Sequence, residues 1–134
     1  MSKYAKWITH KGRRILFVNA ARLGEAEILA SLEEMKQELL KERPGPLPLT
    51  LIDISGIDMT AAVAKKAREV TADTKAPGVQ DAPNAVVGMT GLQKAVAQLF
   101  TRNSRFTDSI DEAKEWLVRE DDKRHKSQPA SHQG

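Results

Sequence analysis

Residues Leu49 to Thr60, reading Leu-Thr-Leu-Ile-Asp-Ile-Ser-Gly-Ile-Asp-Met-Thr, set the plan of the whole chain. Leu49, Leu51, Ile52 and Ile54 form a short apolar run with β-branched members, which predicts a buried strand. Ser55-Gly56 interrupts it, and a helix-type pattern starts at Thr60, so the stretch reads as strand, polar loop and helix start.

The segments on either side fit the same alternation. Tyr4 to His10 and Ile15 to Asn19 read as two strands joined by the turn Lys11-Gly12-Arg13, with Trp7, Ile15, Phe17 and Val18 turned inward. Between Gly24 and Arg43, Ile28, Leu32, Met35 and Leu39 recur at helical spacing, widened by Leu29 and Leu40. Glu33, Glu34, Lys36, Gln37, Lys41 and Glu42 fall on the opposite, solvated face, and Pro44-Gly45-Pro46 stops the helix. From Thr60 to Lys75 a second helix has Val63, Ala67, Val70 and Thr74 on its core side, followed by a loop over Ala76 to Asn84. Ala85 to Met89 is another short buried-strand pattern. Thr90-Gly91-Leu92-Gln93 opens a third helix with a capping box, and Leu92, Val96, Leu99 and Phe100 form its stripe. Arg105 to Thr107 reads as a short edge strand, and Ser109-Ile110-Asp111-Glu112 as a capping box that starts a last helix carrying Ala113, Trp116 and Leu117. The periodicity stops after Glu120. These patterns predict one α/β domain over residues 1–120, a mixed sheet with an N-terminal hairpin, central parallel strands and about four packed helices, and a mobile polar tail over residues 121–134.

A chain of 134 residues is long enough for one sizeable core. Its 29% charged and 40% hydrophobic residues belong to a globular class rather than a disordered one. No apolar run reaches the roughly 20 residues of a membrane span, and Met1 to Lys6 leads into no secretory core, so a cytoplasmic location is expected. Without cysteine there is no disulfide, thiol nucleophile or thiolate metal site. A pI of 9.3 accompanies a net charge of only +3, and the 4% aromatic content supplies no stacking platform beside a basic run. Nucleic acid is therefore not the expected partner. Lys11, Arg13 and Arg14 at the hairpin tip could touch phosphate, but a charged hairpin turn is ordinarily just solvated.

Catalytic chemistry finds no constellation. Asp53 and Asp58 could be paired as acid and base, but both residue types also serve as loop-amide acceptors. Ser55 lacks a nucleophile-elbow context, and His10, His125 and His132 lack metal-ligand spacing. Gly88-Met89-Thr90-Gly91 could offer amides to an anion but has neither a Walker lysine nor a dinucleotide fingerprint. No catalytic residue, metal or cofactor is assigned. If the strands are parallel neighbours, the loops after Ile54 and Val87 lie together at the carboxyl end of the sheet, where open α/β sheets bind. Ile57, Met59 and Met89 then either seal the core end or form an apolar docking patch rimmed by Asp58, Thr60 and Thr90.

The run Ile52-Asp53-Ile54-Ser55-Gly56-Ile57, the segment Ala85 to Leu92 and the ending Phe106 to Leu117 together resemble the small bacterial STAS/SEC14-like proteins, which are similar to the sporulation anti-sigma factor antagonist SpoIIAA. The resemblance spans the hairpin to Leu117 and implies a STAS-like sheet with helices packed on it. From the antagonist side it implies a non-enzymatic regulatory module that docks a protein partner, or a second copy of itself, through Ser55, Gly56, Ile57, Asp58, Met59, Thr60, Gly88, Met89, Thr90 and Gly91. The antagonists' phosphorylatable Asp-Ser-Ser-Gly-like motif is replaced here by Asp58-Met59-Thr60-Ala61-Ala62, which leaves Thr60 as the one hydroxyl at that place. From the SEC14 side the resemblance implies the alternative, a binder of a small apolar or lipid-like ligand.

Overall fold

The computed structural model describes residues 3–42, 48–58, 60–74, 83–88 and 104–126. Five strands form a single sheet: β1 (Ala5–His10), β2 (Arg13–Asn19), β3 (Leu49–Asp53), β4 (Asn84–Val87) and β5 (Ser104–Thr107). Their spatial order is their chain order. β1 is antiparallel to β2, and β2 through β5 run parallel. The described helices are α1 (Glu25–Leu40), α2 (Ala61–Thr74) and α3 (Ile110–Lys126). The helix expected over Thr90 to Phe100 lies outside the described residues.

The β1–β2 connection is tighter than the three-residue turn expected from the sequence. His10 pairs with Arg13, so the loop is Lys11-Gly12 alone, with φ of 51° and 79°. Two successive positive φ values match the twist of the flanking strands, and glycine takes the second without a Cβ clash.

Two successive crossovers step in one direction along the sheet, which for right-handed connections puts α1 and α2 on the same face. They share a core with Leu16 and Val18 of β2, Ile52 of β3 and Val86 of β4. Ile28, Leu32, Met35 and Leu39 of α1, and Val63, Ala67 and Val70 of α2, are all buried there as the helical spacing requires. On the other face α3 runs back across β3, β4 and β5. Its Ala113, Trp116 and Leu117 close over Ile15, Leu49, Leu51, Ala85 and Val87. Adjacent residues of β2 and β3 thus serve opposite cores, which is why these strands read as continuous apolar runs. This corrects the one-faced hairpin expected above: Trp7 packs toward α1 and α2, whereas Ile15 and Phe17 face α3.

Two further expectations change. α1 does not leave all its acidic residues to solvent. Glu34 Oε1 accepts the backbone N–H groups of Lys3, Tyr4 and Ala5 at 2.9, 2.7 and 3.1 Å, and Glu38 accepts the indole N–H of Trp7 at 3.0 Å. Burial would raise the Glu34 carboxyl, but those amide bonds outweigh it and hold the group below its ordinary range. Glu33 bridges α1 to α2 through Lys66 at 2.6 Å; that bond, with Gln37 and Lys36 beside it, pulls its pKa to about 2.

The tail expected from residue 121 is likewise corrected in its first part. α3 continues to Lys126, and Asp121 is buried at 6% exposure because Arg13 Nε donates to it at 3.0 Å. Polar residues end an apolar periodicity without ending a helix when a partner from another element neutralises them. Residues 127–134 lie outside the described residues.

Candidate site at the carboxyl edge of the parallel strands

The four parallel strands end side by side, and backbone hydrogen bonds lace their loops together beyond the sheet. Ala20 N donates to Asp53 O at 2.9 Å and Arg22 N to Ser55 O at 2.8 Å. Ile54 N donates to Val87 O at 2.9 Å, and Gly88 N to Thr107 O at 3.2 Å. The described loop residues therefore form one continuous ridge, joined strand to strand by these backbone bonds.

Asp53 ends β3 as a turn-maker. Its Oδ1 accepts both the Ser55 backbone N–H, at 3.0 Å, and the Ser55 hydroxyl, at 2.7 Å. This is the loop-amide role of a short carboxylate, and it occupies the serine hydroxyl as a donor. Gly56 follows at φ +74°, a region that favours glycine. Ile57 is 6% exposed and belongs to the α1/α2 core, so of the two roles open to it from the sequence it seals the core end. Asp58 is exposed. Thr60 is half-buried and caps α2: its Oγ1 accepts the Val63 N–H at 3.2 Å, and its carbonyl accepts from Ala64 at 3.0 Å.

Gly88 ties the β4 loop to the β3 loop. Its φ is +91°, and a Cβ built there would lie 2.3 Å from Ser55 Oγ, 2.7 Å from Ser55 Cα and 2.8 Å from Ser55 N. Only glycine fits this approach, and the two loops expected to share one end of the sheet do touch there. Met59, Met89, Thr90 and Gly91 lie outside the described residues. Of the expected set, the structure brings together Ser55, Gly56 and Gly88 and places Asp58 and Thr60 on the same β3–α2 connection.

One residue of the ridge went unrecognised in the sequence. Arg22, between β2 and α1, has φ +60°, and its Cγ would lie 3.1 Å from a Cβ at position 56. The side chain thus crosses directly over Gly56. It is exposed, and among the described residues its guanidinium makes no hydrogen bond or ion pair. Nothing in Ala21-Arg22-Leu23-Gly24 announces a left-handed arginine; a weak signal is the adjoining Asn19, whose Oδ1 accepts the Ala21 N–H at 3.2 Å and starts the turn.

At the opposite end of β2 the basic hairpin tip is fully engaged. Lys11 and His10 both reach Glu115 at 2.7 Å, and Arg13 joins Asp121 and Asp122. Arg14 lies 4.1 Å from the Trp7 ring centroid and bonds Glu42 at 3.4 Å. Lys11, then His10, holds the Glu115 carboxyl below its ordinary range. Among the described residues, no group of three His, Cys, Asp or Glu could hold a metal ion, and no helix is long and apolar enough to cross a membrane.

No family model matches the chain, and no curated protein matches it. Among solved structures, the chain is similar to an uncharacterized protein of the DUF3478 family from Shewanella loihica PV-4, whose crystal structure has a SpoIIAA-like fold. The match has a TM-score of 0.61 at 19% identity and covers 87% of this chain and 98% of the other. The sheet order, the N-terminal antiparallel strand and the helices on both faces are thus those of a SpoIIAA-like, STAS-like α/β fold.

Proposed function

We propose that this chain is a non-enzymatic regulatory module that docks a protein partner, or a second copy of itself, through the loops 55–60 and 88–91. The observation that supports it best is the laced carboxyl ridge. Its backbone is held by neighbouring loops, Ser55 is tied to Asp53 and Ser109 caps the last helix, and Asp58 and Arg22 project from it exposed. A surface that is rigid beneath and charged on top suits recognition, because little ordering entropy is lost on contact. It suits hydrolysis or group transfer poorly, since Asp53 and Ser55 satisfy each other and no histidine stands on the described part of the ridge.

Phosphoryl control at Thr60 is the weaker part of the antagonist likeness, because that oxygen already serves the α2 cap. The apolar-ligand alternative is also less favoured here, since Gly88 against Ser55 leaves no space between the β3 and β4 loops at their closest point.

The test is affinity capture from native lysate by the wild-type chain, Asp58→Arg and Met59→Asp, followed by native mass spectrometry. Docking through this edge predicts that partners held by the wild type are lost from both variants. An unchanged partner set overturns the assignment, and a small bound mass on the purified chain would favour the ligand alternative.

A further inference from the structure

We infer that Arg22 is the recognition residue of this ridge and that it takes a carboxylate on a protein surface of mixed charge. The inference rests on the docking proposal above and deepens it.

Three features converge on the side chain. Its backbone sits at φ +60°, where a side chain with a Cβ is disfavoured, and the Arg22 N–H bond to Ser55 O at 2.8 Å holds it there. Gly56 supplies the room: any side chain at 56 would press on Arg22 Cγ. Among the described residues the guanidinium so placed has no partner, whereas every cation at the hairpin tip has one. The Ser55 bond accounts for the backbone conformation but not for the guanidinium it presents, and strained positions cluster at sites of recognition. A planar five-donor fork matches a carboxylate better than any other protein side chain, and holding it in advance lowers the cost of binding.

The neighbouring charges narrow the partner. Asp58 is exposed on the adjoining loop after β3, and Asp108 is exposed farther along the same edge after β5. A uniformly anionic surface such as nucleic acid or an acidic bilayer would be repelled by them. The fit is a protein face presenting a carboxylate to Arg22 and a cation beside it.

The experiment is an NMR titration that follows the Nε–H resonances of Arg22, Arg68 and Arg119, the last two being exposed internal references with no ion pair among the described residues. The probe is a capped pentapeptide with one glutamate and one lysine four residues apart, against its all-glutamine analogue. Preorganisation predicts that Arg22 moves at least about fivefold further than either reference, and only with the charged peptide. Arg22→Asn, which tolerates the left-handed backbone, should keep the melting temperature and lose the response; Arg22→Lys should retain part of it. Equal movement of all three arginines overturns the inference. Movement of Arg22 by a polyanion such as heparin to the same extent overturns the mixed-charge partner. Partner capture separates the two claims: loss from Asp58→Arg with retention by Arg22→Asn leaves docking standing and removes Arg22, while retention by both removes both.

Discussion

At the hairpin end of the sheet, His10, Lys11 and Arg13 all meet carboxylates of α3, whereas at the carboxyl end Arg22 meets none among the described residues and Asp58 stands exposed. Both ends place a non-glycine cation at positive φ, Lys11 at 51° and Arg22 at 60°. At Lys11 the conformation is explained by the two-residue turn and by the Glu115 bond. At Arg22 the backbone bond to Ser55 explains how the conformation is held, but no contact among the described residues uses the charge. The difference separates charge that builds the fold from charge that the fold leaves presented. Net charge could not have made that distinction, since both ends contribute to the same small positive total.

The comparison breaks first if Gly88 is replaceable. Gly88→Ala drives a Cβ into Ser55 backbone and imposes a left-handed alanine, so it should cost about 3 kcal/mol in urea unfolding. A loss below about 1 kcal/mol would mean that the two loops are not packed as a rigid ridge. At the other end, Arg13→Ala deprives the buried Asp121 of its guanidinium and should cost about 2 kcal/mol by the same measurement. A neutral result there would make the hairpin tip as free of structural duty as Arg22. Thr60→Ala, which removes only the α2 cap, should cost about 1 kcal/mol. The smallest effect is at Glu115, whose folded pKa is depressed from the ordinary 4.5 by Lys11 and His10. Its contribution is fully present above the unfolded value and is lost as pH falls through the folded one. The midpoint difference between wild type and Glu115→Gln should therefore vanish on acidification through the carboxylate range. A difference that persists undiminished below that range would show that the hairpin clamp does not depend on the ionised carboxylate.

Much of the framework was legible because it follows from local rules. Leu49 to Ile54 and Ala85 to Val87 could be read as buried strands since few other structures hide so short an apolar run. The buried faces of α1 and α2 followed from helical spacing. The shared end of the β3 and β4 loops followed from strand alternation, and the Ser55–Gly88 contact realises it. What escaped depends on contacts between distant segments. Glu34 reads as a surface residue until β1 brings three amides to it, and Asp121 reads as tail until Arg13 arrives from 108 positions away. Trp7 and Ile15 read as one face because a hairpin in isolation has one; β2 lies inside the sheet and has two. Arg22 is the clearest case, since neither its φ nor its place over Gly56 has a periodicity to betray it.

The most direct measurement is quantitative capture of the same partner by matched charge changes at the two ends, Asp58→Arg at the carboxyl edge and Lys11→Asn at the hairpin tip. Docking at the carboxyl edge predicts an affinity loss of about tenfold or more for Asp58→Arg, equivalent to at least 1.4 kcal/mol, and no change for Lys11→Asn. Equal losses at both ends, or a loss confined to Lys11→Asn, would contradict it.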